Sequence, residues 1–172
     1  FTDIILSGET GLDLYAIKER PSSDTNDNKY LDRLSLGLSV LSKRDLFYNF
    51  GKYNFLITPK IQFASMYSTD RKDDIPNRDS SDFRFDQANL FLINPYQGRD
   101  NIQTYHRLNY GIDNYASSNI GDFNFFFGQS QKIGGTNDNT LNSNSNRQSD
   151  FITELKWEIS EKYNISYNTL LD

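Results

Sequence analysis

Apolar and polar residues alternate with a period of two along several segments of the chain. In residues 30–41, one face carries Leu34, Leu36, Leu38 and Val40, and the other carries Arg33, Ser35, Gly37 and Ser39. Such alternation is typical of a β-strand whose two faces meet different surroundings. The pattern predicts strands that are apolar on one side and polar on the other.

The same alternation recurs further along the chain. Residues 52–67 place Tyr53, Phe55, Ile57, Ile61, Phe63 and Tyr67 on one face, with Asn54, Thr58, Lys60 and Gln62 opposite. Residues 102–114, 149–159 and 163–171 alternate likewise, and weaker strands are predicted at 1–7, 11–19 and 123–127. Roughly eight strands are expected in all. Pro59 predicts a local bulge or edge, with weak, gate-like pairing as the alternative, because proline cannot donate to the sheet ladder.

The predicted connections alternate strictly between long and short. Long ones cover about residues 20–29, 68–100 and 134–147, and short ones lie near 8–10, 43–51, 117–121 and 160–162. Up-and-down membrane barrels have long extracellular loops and short periplasmic turns. The predicted fold is therefore all-β, an antiparallel up-and-down transmembrane β-barrel segment with about eight strands of a larger barrel. We expect residues 1–172 to form part of one barrel domain that is incomplete at both ends.

Composition and charge also favour a barrel. Hydrophobic residues make up only 36% of the chain, yet aromatic residues reach 15%. A polar chain of this kind can shield apolar surface on one face of each strand and keep the other face wet. The net charge of -5, without a basic stripe, gives no reason to expect nucleic acid.

Tyrosine and tryptophan residues lie near the predicted strand ends or on the apolar face. They are Tyr53, Tyr67, Tyr105, Tyr110, Tyr115, Trp157, Tyr163 and Tyr167. These positions predict aromatic girdles at the membrane interfaces, although the general preference of aromatic residues for strands is the simpler alternative.

Candidate chemistry is sparse. The chain has no cysteine, which excludes disulfides and thiolate metal sites within it. His106 is the only histidine and has no obvious partner, and residues 128–131 (Gly-Gln-Ser-Gln) depart from the Gly-x-Ser-x-Gly nucleophile motif. We therefore expect no enzymatic activity, no cofactor and no metal site.

The longest loop, residues 68–100, mixes many Asp residues with Arg and Lys. Two interpretations are open: a divalent-cation or sugar-phosphate contact, or a solvated loop that holds its own shape. The loop also contains Phe83, Phe85, Leu90 and Phe91. Because apolar side chains need cover from water, we expect the loop to fold back over the barrel mouth.

Short motifs in a fixed order resemble those of a known family. They begin in this loop with Ile75, Pro76, Asn77, Asp79, Ser80, Phe85, Asp86, Asn89, Leu90 and Phe91. Later come Arg-Leu-Asn-Tyr-Gly at 107–111, Gly-Gln-Ser at 128–130 and Tyr-Asn-Ile-Ser-Tyr at 163–167. The series resembles the C-terminal barrel region of the LptD (OstA) family of lipopolysaccharide-assembly proteins in Gram-negative outer membranes. Arg78 and Asn101 depart from the family, which often has Glu and Arg there.

The resemblance implies a role in lipopolysaccharide transport and insertion into the outer leaflet of the bacterial outer membrane, as part of the LptD translocon barrel. The implied partners are lipopolysaccharide, an LptE-like lipoprotein plug, the periplasmic Lpt bridge and outer-membrane lipids. The polar strand faces would line the lumen. Possible contacts with substrate or plug are Arg33, Lys60, Gln62, Arg107, Asn109, Glu154 and Lys156.

Two other classes of protein would also explain the alternation, but they would not explain the ordered motifs. One is another outer-membrane barrel, either a porin-like channel or an adhesin. The other is a soluble all-β binding module, which would remain in solution without detergent. If the lumen is wet, replacing Leu36 or Ile112 with Arg should lower the free energy of unfolding by roughly 2–4 kcal/mol. The same replacement at Ser35 or Asn109 should lower it much less.

Overall fold

The structure of the chain is an antiparallel sheet. The computed structural model describes residues 1–17, 29–69, 84–95, 102, 104–135, 148–160 and 162–171. In these ranges the strands are β1 (Thr2–Ile17), β2 (Lys29–Arg44), β3 (Leu46–Phe50), β4 (Tyr53–Ser68), β5 (Tyr105–Ser118), β6 (Gly121–Gly135), β7 (Phe151–Ser160) and β8 (Tyr163–Leu171). Their order in the sheet is β1-β2-β4-β5-β6-β7-β8, and β3 pairs with β4. The predicted all-β, up-and-down architecture is confirmed. Within the described ranges, no helix has the length and apolar character needed to cross a membrane.

The first strand differs from the prediction. Residues 1–7 and 11–19 were expected to form two strands joined by a turn at 8–10, but β1 is continuous from Thr2 to Ile17. Its ladder with β2 runs without a gap from Thr2 opposite Arg44 to Ile17 opposite Lys29. The predicted turn is therefore wrong, because pairing along the whole of β2 outweighs the local preference of Gly8 for turns.

A short break separates β2 from β3. Lys43 pairs with Lys60 and Leu46 with Ile57, so the register on β4 is the same on both sides of the break. The gap falls opposite Pro59, which has no N–H to donate to the ladder. Beside it, the Thr58 hydroxyl donates a 2.8 Å hydrogen bond to the Asp45 carboxylate. The proline thus interrupts one ladder locally without shifting the strand register.

Long and short connections alternate along the chain, as predicted. The short ones are residues 51–52, 119–120 and 161–162. Gly51, with φ 61°, opens a two-residue hairpin between β3 and β4, a position that favours glycine. The turn expected at 43–51 is therefore much shorter. The predicted long loops at 20–29 and 134–147 lie almost entirely outside the described residues.

The two faces of the sheet differ sharply in chemistry. One face is apolar and exposed, and it includes Leu34, Leu36, Leu38, Val40, Ile61, Phe63, Ile112, Ile165 and Tyr167. The opposite face is polar and mostly buried, and it includes Arg33, Ser35, Ser39, Gln62, Arg107, Asn109, Ser130 and Glu154. Residues 84–95 of the β4–β5 connection pack against the polar face. We call residues 84–95 the strap, the face that it covers the inner face, and the opposite face the outer face.

Among the described residues, buried apolar side chains form two small clusters between the strap and the sheet. One contains Phe85, Leu90, Phe126 and Ile152, and the other contains Ala64, Met66, Ile102 and Tyr105. Within the weak strand predicted at 123–127, Phe126 is the ring that points inward. The alternation predicted for residues 102–114 would place Ile102 on the outer face with Leu108, but β5 begins only at Tyr105. Ile102 therefore lies outside the strand alternation and packs inward.

The outer face carries aromatic side chains near the short turns. At the β3–β4 hairpin, the ring of Phe55 lies 6.3 Å from Phe50 and 6.4 Å from Tyr53, measured between centroids. Trp157, Tyr163 and Tyr167 share this face through the alternation of β7 and β8. Tyr105 and Tyr115 do not belong to such a girdle, because both lie on the inner face with Arg107 and Asn109.

Candidate functional site

The strap forms a compact turn that is closed by two of the motif residues. The backbone N–H of Asn89 donates to the Asp86 carboxylate at 2.8 Å, and the N–H of Asp86 donates to the Asn89 side-chain carbonyl at 2.9 Å. This reciprocal pairing resembles a capping box, in which two side chains satisfy each other's backbone donors. The backbone bond from Leu90 N to Asp86 O, at 3.1 Å, completes the turn. The carboxylate of Asp86 is thus used to shape the loop.

Apolar side chains fasten the strap to the inner face. Leu90 is fully buried against Phe126, and Phe85 packs in the same cluster. Gly128 leaves the room that Leu90 occupies, because a Cβ at Gly128 would lie 2.7 Å from Leu90 Cδ2. Gly37 does the same further along, where a Cβ would lie 2.5 Å from Ile93 Cγ2. These two glycines on the sheet are therefore complementary to the strap.

Polar contacts join the strap to three strands. The Gln87 backbone N–H donates to Glu154 Oε1 on β7, and its side-chain amide donates to Asp113 Oδ1 on β5, each at 2.8 Å. On β4, Gln62 Nε2 donates to the Phe91 carbonyl oxygen at 2.8 Å. Because Gln87 reaches two strands at once, it is the central polar anchor of the strap.

A row of buried polar side chains crosses the sheet beneath the strap. Asn109 Nδ2 donates to Gln62 Oε1 at 2.8 Å, and Ser130 Oγ donates to Asn109 Oδ1 at 2.6 Å. Gln62 Nε2 also contacts Ser39 Oγ at 3.3 Å. The row spans β2, β4, β5 and β6, and each member is buried. Buried polar groups are tolerated when they are hydrogen-bonded, and this row meets that condition internally.

Two charged residues of the inner face, Arg33 and Lys60, have partners within the chain. Arg33 is 1% exposed and donates through Nε and Nη2 to Asp13 Oδ2, at 3.2 and 2.8 Å. Lys60 forms an ion pair with Asp113, and its ammonium lies 5.6 Å from the Phe91 ring centroid. These contacts hold neighbouring strands and the strap together.

The sequence-predicted lumen residues therefore divide into two groups. Arg33, Lys60, Gln62, Arg107, Asn109 and Glu154 all lie on the inner face and contact other side chains or the strap. Lys156 is exposed on the same face. Its neighbours across and along the β7–β8 ladder are the exposed residues Asn164, Ser166 and Asn168. The inner face thus has a covered centre and an uncovered polar strip, which we define as Lys156, Asn164, Ser166 and Asn168.

The predicted loop motif is partly described. Ile75, Pro76, Asn77, Asp79 and Ser80 lie outside the described residues. Phe85, Asp86, Asn89, Leu90 and Phe91 form the turn or its contacts with the sheet, so the strap folds back onto the inner face, and its place at a barrel mouth stays a prediction. Sequence reasoning missed Gln87, Asp113 and the complementary glycines. Gln87 and Gly128 lie within the motifs at 85–91 and 128–130, which is a signal that could have singled them out, whereas Asp113 and Gly37 lie outside these motifs.

His106 is exposed on the outer face, near the long-loop end of β5. Its Nδ1 lies 2.9 Å from Ser65 Oγ on β4. No carboxylate completes this pair among the described residues, and no three His, Asp or Glu side chains come together there as a metal site. The arrangement gives His106 a structural hydrogen bond.

Comparison with known protein families identifies this architecture. The family model LptD, described as LPS transport system D, matches residues 10–172 and so includes the strap and nearly every strand. Comparison with curated proteins gives no match. The matched region contains nearly all of the sheet with its exposed apolar face, the alternating long and short connections, and the strap. The chain therefore belongs to the LptD family of outer-membrane lipopolysaccharide transport and assembly proteins, which is not a family of enzymes.

Proposed function

We propose that the chain is part of the LptD translocon barrel and helps to deliver lipopolysaccharide to the outer leaflet. The observation that carries the proposal is the reversal of the sheet faces: large apolar side chains such as Leu36 and Phe63 are exposed, and polar ones such as Asn109 are buried. A sheet of this kind suits lipid on the outside and a polar lumen on the inside. Membership of the LptD family supports lipopolysaccharide as the cargo.

Within this role, we assign substrate contact to the uncovered strip. Its amide and hydroxyl groups can both donate and accept hydrogen bonds, which suits the hydroxyl-rich sugar portion of the substrate. The covered residues Gln62, Asn109 and Ser130 bond to one another, and Gln62 also bonds to the strap, so we propose that they shape the lumen. Acyl chains would leave through a lateral opening that lies between other strands of the full barrel.

A protein plug is proposed for a different part of the inner face. Phe47, Leu56 and Tyr115 lie opposite one another on β3, β4 and β5, and Phe47 is 75% exposed. Exposed apolar and aromatic surface suits a protein interface better than it suits sugar. We propose that an LptE-like lipoprotein contacts this patch and that the periplasmic Lpt bridge supplies the substrate.

Depletion of the full-length protein tests the proposed function. Surface lipopolysaccharide should fall on depletion and return when the wild-type protein is supplied. A Ser166→Trp variant should restore it poorly, because the indole would obstruct the strip. The matched variant Ile165→Trp changes the adjacent residue, whose side chain faces outward, and should restore it fully.

Two results would contradict the proposal. Unchanged surface lipopolysaccharide after depletion would exclude the transport role and leave a different barrel function. A full-length protein that remains monodisperse without detergent would exclude the membrane barrel altogether.

A further inference from the structure

One carboxylate at the edge of the strap uses only one of its oxygens. Glu154 on β7 is 8% exposed, and its Oε1 accepts the 2.8 Å hydrogen bond from the Gln87 backbone N–H. Among the residues that the structure describes, its Oε2 has no hydrogen-bond partner, and no cation forms an ion pair with it. Burying a carboxylate is costly unless its oxygens are hydrogen-bonded or its charge is paired. The free oxygen is therefore available to a donor from outside the sheet.

Asp113 shows how the same face treats a carboxylate that only holds the strap. Its Oδ1 accepts the 2.8 Å hydrogen bond from the Gln87 side-chain amide, and its Oδ2 forms the ion pair with Lys60. Both carboxylates thus contact Gln87, but only Asp113 has both oxygens occupied within the described part of the chain. Attachment of the strap therefore does not account for the free oxygen of Glu154.

The register of the sheet places Glu154 against the uncovered strip. Glu154 pairs directly with Asn168, and Lys156 pairs with Ser166 at the next inner-face position of the β7–β8 ladder. Side chains directly opposite each other have Cβ atoms about 4.5–5.5 Å apart, and same-face neighbours along a strand lie about 6.5–7 Å apart. The four side chains therefore form the corners of one patch, close in size to a single sugar ring.

The four corners differ in what they can donate and accept. An ionised Glu154 only accepts hydrogen bonds, the Lys156 ammonium only donates, and the Asn168 amide and Ser166 hydroxyl do both. The side chains of the three strip residues make no hydrogen bond within the described ranges. A ligand hydroxyl can serve every corner, because it both donates and accepts. An ionised phosphate cannot donate to Glu154 and would be repelled by its negative charge.

We propose that Glu154, Lys156, Ser166 and Asn168 form a subsite for one neutral sugar ring, and that Glu154 determines its specificity. Glu154 Oε2 accepts a hydrogen bond from a hydroxyl of the ring, and Lys156 donates to another oxygen of the same ring. Gln87 orients the Glu154 carboxylate from the strap and is a positioning residue. Assigning the sugar to lipopolysaccharide rests on the proposed function, whereas the subsite itself does not.

The first experiment titrates the purified full-length protein with the lipid-free oligosaccharide released from lipopolysaccharide, followed by saturation-transfer NMR. Glu154→Gln should weaken binding by about tenfold, because it removes a charge-assisted hydrogen bond to a hydroxyl. The new amide keeps a carbonyl oxygen for the Gln87 N–H, so the strap should stay attached. The matched control Asp113→Asn alters the other carboxylate that holds Gln87 and should leave binding unchanged.

Three outcomes of this titration overturn the subsite. The first two are no binding to the wild-type protein and undiminished binding to Glu154→Gln. The third is an equal loss in Asp113→Asn and Glu154→Gln, because Glu154 would then act only through the strap. If Glu154→Gln does not fold, Asn168→Ala replaces it, where weaker binding supports the subsite and undiminished binding overturns it.

A second experiment changes the sugar instead of the protein. Removing the phosphates of the oligosaccharide should leave its binding to the wild-type protein unchanged, whereas O-methylation of its hydroxyls should weaken binding about as much as Glu154→Gln does. Loss of binding on dephosphorylation would overturn a neutral sugar as the ligand and identify an anion instead. Undiminished binding after methylation would overturn the recognition of hydroxyls. Failure of the depletion test would contradict the proposed function, but the oligosaccharide titration would still decide the subsite.

Discussion

The outer and inner faces of the sheet satisfy opposite requirements. The outer face leaves side chains such as Leu38 and Phe63 uncovered by the chain, which suits contact with lipid. The inner face carries polar side chains that the chain covers itself, through the strap and through hydrogen bonds between strands. The difference shows that the polar face of a barrel segment is not necessarily a wet face.

This difference assigns separate roles to residues that have similar chemistry. Asn109 and Asn168 both lie on the inner face, but Asn109 is completely buried and Asn168 is exposed. The first is a structural connection between strands, and the second belongs to the strip that we propose contacts the substrate. The structure can therefore be tested by comparing substitutions on the outer face with substitutions on the inner face, and substitutions at covered positions with substitutions at uncovered ones.

The largest effect is expected from Asn109→Leu. The substitution removes one hydrogen bond to Gln62 and one to Ser130, and it leaves both partners buried and unsatisfied. Since each stranded group costs about 1–3 kcal/mol, the loss in free energy of unfolding should be about 2–6 kcal/mol. Urea unfolding of the full-length protein in lipid bilayers provides the measurement. Asn168→Leu is the matched control and should change it by no more than about 0.5 kcal/mol. Equal losses at both positions would mean that the strap does not exclude water from the centre of the inner face.

The next largest loss in free energy of unfolding is expected from Ile112→Arg on the outer face. Ile112 lies between Pro59 and Phe127 in the apolar band, and a guanidinium there would have to enter lipid. The expected cost is about 2–4 kcal/mol near the bilayer midplane, measured by the same unfolding experiment. Ser166→Arg, on the uncovered strip, should cost little. A small cost at Ile112 would show that this face does not meet lipid.

The structure corrects one part of the expectation for the inner face. In a wet lumen, arginine at Ser35 or Asn109 would lower the free energy of unfolding only slightly. Both residues, however, are buried. An added Cβ at Gly11 would lie only 2.6 Å from the hydroxyl of Ser35, so this position has no free volume either. Arginine at either position would have to displace neighbouring side chains. Overpacking of this kind typically costs about 1–3 kcal/mol.

The sequence predicted the faces well because alternation is a local property of each strand. Leu34 to Val40 and Ile61 to Tyr67 needed no knowledge of the partner strands to be assigned to the outer face. The single continuous β1 could not be predicted in this way, because it depends on the length of its neighbour β2. Ile102 was misplaced for a related reason: the alternation cannot show where a strand begins.

The strap contacts could be predicted only in outline. The apolar residues Phe85 and Leu90 predicted a loop that folds back, which the structure confirms. Which strands it meets depends on long-range geometry: Gln87 reaches Glu154, which lies 67 positions later in the chain. The space at Gly128 that accepts Leu90 likewise exists only in the folded sheet. Local pattern therefore identified the strap as a covering segment but not its anchors.

The smallest effect is expected from Leu90→Ala, because it should loosen the strap without unfolding the sheet. Leu90 is fully buried, whereas Leu92, two residues along the same strap, is 51% exposed. Truncating a buried leucine typically lowers stability by about 2–5 kcal/mol. Here we expect the strap's attachment to the sheet to lose about 2 kcal/mol, because Phe85 and Phe91 can move into the space that Leu90 leaves. The loss should appear as faster proteolytic cleavage within residues 84–95, with little change in global unfolding. Leu92→Ala should leave the cleavage rate close to that of the wild type. If the two variants were cleaved at the same rate, the apolar cluster would not hold the strap, and its attachment would depend on the polar anchors at Gln87 and Gln62 alone.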